Sequence, residues 1–224
     1  MLGAIAGDII GSVHESRCQK TEDFPLFVEQ SRFTDDTVLT VAVADCLLTR
    51  SSYVDKFHEY TRAYPDRGYG LGFWRWVASG STASHTTVGV MGQRCASAQW
   101  HSHSRLLRRF FKKRKRMRRG DPQSSGRRSR SASGSGGRIS GSARRGKEII
   151  RNKIEARFHY DLSRSIADIR PGYSFNDSCQ GTVPEAITAF LESENYEDAV
   201  RLAVSLGGDA DTLATITGGM AAAF

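Results

Sequence analysis

Beginning at Asp35, apolar residues recur at Val38, Leu39, Val41, Ala42, Ala44, Leu47 and Leu48. That spacing draws one helical face behind an acidic start, and acids favour helix N-termini. The same grammar predicts helices over Tyr53–Tyr64, Glu148–Tyr160, Tyr196–Leu206 and Asp209–Phe224. Another is predicted over Pro184–Leu191, with the proline in its first turn. The opening Met1–Ile10 is apolar but interrupted by Gly3, Gly7 and Asp8, and it is too short to span a bilayer. It reads as a buried helix. Glycine-rich connections fall at 68–72 and 207–208. No alternating pattern of useful length marks a strand, so the predicted class is all-α. At 224 residues the chain is long enough for one domain with a full core.

The net charge of +8 changes meaning once it is divided. Arg105 to Lys147 holds 17 Lys/Arg and one acid, Asp121, while the rest of the chain carries 15 basic and 23 acidic side chains. One segment makes an acidic protein look basic. Residues 84–146 also lose the helical pattern and run into Ser/Gly/Arg low complexity, the composition of a disordered basic insert. Taken literally it attracts phosphate, and a basic nucleic-acid-binding protein is one reading of the chain. Interleaved aromatics are few, which argues against a stacking platform for single strands. Cys18, Cys46, Cys95 and Cys179 share no CxxC spacing, and that favours a reducing, cytoplasmic setting.

Candidate chemistry concentrates in two turns, Phe33-Thr34-Asp35-Asp36-Thr37 and Gly207-Gly208-Asp209-Ala210-Asp211-Thr212. Each sets carboxylates and a hydroxyl at a helix start. Together they are hard oxygen donors suited to Mg²⁺, Mn²⁺ or Ca²⁺ rather than Zn²⁺. If the turns meet in space, their mutual repulsion calls for a cation. The plainer reading, ordinary acidic N-caps, stays open for each turn alone.

These turns, with Gly7-Asp8-Ile9-Ile10-Gly11-Ser12-Val13-His14-Glu15, Tyr64-Pro65-Asp66-Arg67-Gly68-Tyr69-Gly70 and Ser178-Cys179-Gln180-Gly181-Thr182-Val183-Pro184-Glu185-Ala186, resemble the ordered motifs of the ADP-ribosylglycohydrolase family. The resemblance covers residues 1 to about 83 and about 147 to 224. It implies a single all-α domain, an orthogonal helical bundle, cleaving the glycosidic bond of ADP-ribosylated protein or a small ADP-ribosyl compound. It further implies a pair of Mg²⁺ ions, or Mn²⁺, held by Thr34, Asp35, Asp36, Asp209, Asp211 and Thr212. Glu15 and Asp36 become the catalytic candidates. Asp66, Gly68, Tyr69 and Gly70, with Gly72 beside them, and Ser178, Cys179 and Gly181 become substrate-binding candidates. Plainer readings stand beside these: Asp66 as a turn former, Cys179 as a small packed residue, Glu15 as a solvated helix-end acid.

Two departures stand out. Family members carry an Asn-Gly-Ser-Ala-Met-Arg loop where this chain reads Val90-Met91-Gly92-Gln93-Arg94-Cys95. A shifted reading frame of one codon choice for that hexapeptide spells Asn-Gly-Ser-Ala-Met, so residues 84–146 read as an out-of-frame translation. The sequence also stops at Phe224, where relatives usually continue. A non-catalytic descendant that binds ADP-ribose or metal is therefore the alternative function. The expected partner is an ADP-ribosylated protein or small ADP-ribosyl substrate, bound by a monomer, with no membrane and no nucleic acid.

Overall fold

The computed structural model describes residues 1–81 and 141–224. Most of the basic segment 84–146, with Val90–Cys95, His101 and His103, lies outside the described residues. Among those described, every regular element is helical: α1 (Leu2–Gly11), α2 (Asp35–Thr49), α3 (Tyr53–Ala63), α4 (Leu71–Ala78), α5 (Gly141–Phe158), α6 (Ile166–Ile169), α7 (Cys179–Glu192), α8 (Tyr196–Val204) and α9 (Ala210–Ala223). The all-α expectation holds. No described helix is long and apolar enough to cross a membrane.

Helix starts follow local chemistry. Thr34, Ser52, Ser178 and Asn195 each turn a side-chain oxygen onto a backbone N–H of the first turn, satisfying donors that have no partner inside the helix. Two expectations need correction. Pro184 does not open α7; it sits inside a helix that Ser178 has already capped. Periodicity alone placed the start at the proline because the polar, glycine-containing first turn carries no apolar signal. Leu71–Ala78 is helical although its glycine-rich approach reads as connection. Phe73 and Val77 explain it: both are buried with Leu39 of α2 in a small cluster edged by Phe57, Tyr69 and Trp76. In addition, α5 begins at Gly141, seven residues ahead of the predicted start.

The main core joins α5 through α9 around Ile154, Leu162, Ile187, Phe190, Leu206 and Leu213. Ile10 and Phe24 pack on Val200, Val204 and Ala214 in a second cluster. The contact that matters most for the site is α1 on α9. A Cβ at Gly7 would lie 2.1 Å from the Ala214 carbonyl oxygen, and one at Gly11 would lie 2.4 Å from that of Ala210. Real Cβ atoms do not approach so closely, so the two backbones meet where only glycine fits. This brings Asp8 and Glu15 beside the start of α9.

Candidate functional site

The two acidic turns meet. A pocket of about 460 Å³ is lined by Glu15, Thr34, Asp35, Asp36, Asp209, Asp211 and Thr212, with Asp66, Gly68 and Gly70 on its wall. The Thr212 hydroxyl donates to Asp36 Oδ2 at 2.8 Å, joining the turns directly. One carboxylate oxygen each from Asp8, Asp36 and Asp211 lies within 4.8 Å of the others, and Glu15, Asp209 and Asp211 form a second such group.

The first turn is built on Asp8, a fully buried acid in the middle of α1. Its Oδ1 accepts from the Thr34 hydroxyl at 2.6 Å. Its Oδ2 accepts from the Thr34 N–H at 2.8 Å, the Thr37 N–H at 3.2 Å and the Thr37 hydroxyl. Four donors on one carboxylate offset part of the cost of its burial, which still raises the Asp8 carboxyl above the usual aspartate range. Thr34 thus serves both as the cap of α2, accepting from Asp36 N–H, and as a donor to Asp8. The Asp35 N–H donates to the Arg67 carbonyl at 2.8 Å, tying the glycine-rich loop to the same turn.

The second turn is held from outside. Gly207 has φ +67°, and a Cβ there would lie 2.8 Å from the Gln19 carbonyl oxygen. The Cys18 thiol donates to the Gly207 carbonyl at 3.3 Å. The Lys20 ammonium donates to the carbonyls of Arg170, Tyr173 and Leu206. Asp209 occupies the N-cap position of α9 without capping it, so its carboxylate is left to the pocket.

Concentrated charge has the expected electrostatic effect. Burial first, and Asp211 next, push the carboxyls of Asp35, Asp36 and Asp209 well above the usual aspartate range. Glu15 is raised by partial burial and then by Asp211, against a lowering from Arg32. The six ion pairs among the described residues include none from Glu15, Asp36, Asp209 or Asp211. A divalent cation is the counter-charge this all-oxygen donor set fits.

Other sequence candidates fall differently. Tyr69 is outside the lining: its hydroxyl donates to the Tyr64 carbonyl at 2.9 Å and its ring stacks on Phe73, with burial raising the phenol to about 12. Ser178 caps α7 through the Gly181 N–H, Cys179 is buried, and a Cβ at Gly181 would strike Asn176. The pocket wall near them is instead Phe175 and Asp177. Asp8, Ser12, Arg32, Arg67, Leu71, Phe175 and Asp177 were not singled out from sequence. Asp8 was findable, as the one acid in an apolar helix; Phe175 and Asp177 carry no local signal.

Comparison with known proteins bears on about a third of the chain. Residues 144–224 match the family model described as ADP-ribosylglycohydrolase. That stretch is similar to the ADP-ribosylglycohydrolase family. The chain is also 32% identical over 93 aligned positions to the ADP-ribosylhydrolase ARH3 of Mus musculus and to that of Bos taurus. The alignments cover 32% of this chain and 25% and 26% of those proteins, so the chain spans about a quarter of the length of the relatives it matches. Within the matched stretch lie Asp209, Asp211 and Thr212; Glu15 and the Asp35–Asp36 pair lie outside it.

Proposed function

We propose that the chain is a metal-dependent ADP-ribosyl hydrolase, releasing ADP-ribose from an ADP-ribosylated protein or a small ADP-ribosyl compound. The observation that carries this reading is the joining of the two acidic turns across one pocket by the Thr212–Asp36 hydrogen bond. The family match and the hydrolase names of the relatives supply the substrate class.

Thr34, Asp35, Asp36, Asp209, Asp211 and Thr212 would hold Mg²⁺ or Mn²⁺. When bound, the cation supplies positive charge that polarises sugar oxygens and eases departure from the anomeric carbon. Glu15 stands on the pocket wall with a carboxyl raised by burial and by Asp211, so it holds a proton more readily than a free glutamate does. In the balanced reaction, water adds its oxygen to the anomeric carbon, the glycosidic bond breaks, and a proton reaches the leaving group. Glu15 shuttles that proton. Asp36, joined to Thr212, keeps the two turns in register. Gly68 and Gly70 leave backbone within reach of the sugar and phosphates.

The test is Mg²⁺- or Mn²⁺-dependent release of ADP-ribose, abolished by Asp35→Ala or Asp211→Ala. Binding of ADP-ribose without turnover would favour a non-catalytic descendant instead. We further propose that residues 84–146 are translated out of frame. The coding DNA should spell Asn-Gly-Ser-Ala-Met in a shifted frame across codons 90–95, and a read that encodes the same peptide in unrelated codons would overturn this.

A further inference from the structure

The pocket that gathers Glu15, Asp35, Asp36, Asp66, Asp177, Asp209 and Asp211 is also lined by Arg32 and Arg67. Arginine in such company usually forms a bidentate pair with a carboxylate. Among the described residues neither arginine forms an ion pair. Arg32 is exposed and close enough to Glu15 to lower its carboxyl. Arg67 is the more constrained of the two. Its guanidinium carbon lies 3.8 Å from the centroid of the Phe33 ring, and that ring is itself braced edge-on by Tyr64 at 5.8 Å. Stacking on an aromatic face occupies the guanidinium plane but leaves its N–H edge available. The backbone is fixed as well, since the Arg67 carbonyl accepts the Asp35 N–H at 2.8 Å.

A cation immobilised on an aromatic ring, beside a strongly acidic cavity yet unpaired with its acids, is arranged for an anion brought in by a ligand. We propose that Arg67, mounted on Phe33, is a specificity residue that binds the diphosphate of the substrate. This rests on the ADP-ribosyl reading above and deepens it. In an ADP-ribosyl group the diphosphate begins one sugar ring away from the scissile bond. The Arg67 carbonyl accepts the Asp35 N–H and Arg67 lines the same pocket, so the cation starts beside the first acidic turn. The stacked fork also explains why arginine serves here: lysine offers neither a planar face for Phe33 nor two parallel donors.

The test measures calorimetric binding of ADP-ribose to the Mn²⁺-saturated full chain, with Mn²⁺ affinity followed separately by electron paramagnetic resonance. Arg67→Ala should weaken ADP-ribose by about 10- to 100-fold, the range for losing hydrogen bonds to a charged group. Arg67→Lys should fall between it and wild type, and Phe33→Leu should weaken binding several-fold through loss of the platform. Mn²⁺ affinity should stay unchanged in all three, and Arg62→Ala, on the exposed surface of α3, should bind as wild type. Wild-type ADP-ribose affinity in Arg67→Ala would overturn the proposal while leaving the functional reading intact. A parallel fall in Mn²⁺ affinity would overturn it too, making Arg67 a support of the turn. If wild type with Mn²⁺ binds no ADP-ribose, the functional reading fails and takes the diphosphate assignment with it.

Discussion

The two acidic turns carry similar residues and are held in opposite ways. The turn at Thr34–Thr37 is fastened from within the protein, four donors converging on the buried Asp8 carboxylate. The turn at Gly207–Thr212 is fastened from outside its own helix, by a lysine on three carbonyls and by a glycine pressed against residues 18–20. One depends on charge-assisted hydrogen bonds to a buried acid, the other on packing and a half-buried lysine. Similar ligand chemistry therefore does not imply similar vulnerability.

Substitutions should expose the difference. The largest effect is expected at Gly7, where the turns' shared foundation lies: Gly7→Val drives a side chain into the Ala214 carbonyl and should destabilise by about 3 kcal/mol or more. Thermal melts check this, and an unchanged midpoint would refute the close-contact argument. Asp8→Asn comes next. It replaces an acceptor for four donors with a group that turns N–H against N–H, yet also relieves repulsion on Asp35 and Asp36. Asp8 is only a minor contributor to those raised carboxyls, so the lost bonds win and a net destabilisation of about 2 kcal/mol is expected. Lys20→Met should cost less, about 1 kcal/mol, because Lys20 and two of its acceptor residues, Arg170 and Tyr173, are only half-buried. Its Mn²⁺ affinity should nevertheless fall, since the second turn loses its brace. Equal stability losses in Asp8→Asn and Lys20→Met would remove the distinction drawn between the turns.

How far sequence alone reached follows from the same contrast. Most of the helices and the two acid-bearing turns were legible because periodicity and acidic starts are local. Asp8's role was not, because its partners Thr34 and Thr37 become visible only once α1 crosses the start of α2. Ser178, Cys179 and Gly181 drew attention through their motif, whereas the residues of that region lining the pocket are Phe175 and Asp177. No spacing rule points there, since the loop's direction is set by packing: a Cβ at Gly208 would lie 2.4 Å from the Tyr173 ring.

Proton linkage gives a finer test. With Asp35, Asp36 and Asp209 raised above the ordinary value of 3.8, the metal-free folded state holds more protons than the unfolded state in the window above it. Stability must then fall as pH rises through that window. His14, lowered by burial and then by Arg17, acts in the opposite direction below 6.5. Comparing metal-free wild type with Asp36→Asn cancels that background. The variant should gain on wild type as pH increases, and a flat difference would sink the electrostatic account. The smallest effect is expected from Ser178→Ala, about 1 kcal/mol from a lost helix cap, with Mn²⁺ affinity untouched.

The glycine contact between α1 and α9 sets an order of assembly. Gly7 meets Ala214 across about 200 residues of chain, among the longest-range contacts available to this sequence. During synthesis Asp8 can gather Thr34 and Thr37 early, whereas the opposite carboxylates follow only about 170 residues later. Until they do, one face of α1 waits uncovered, and contacts of such long range slow folding. The pocket is therefore a product of non-local contacts, and its assembly is expected to be slow beside that of the helices that line it.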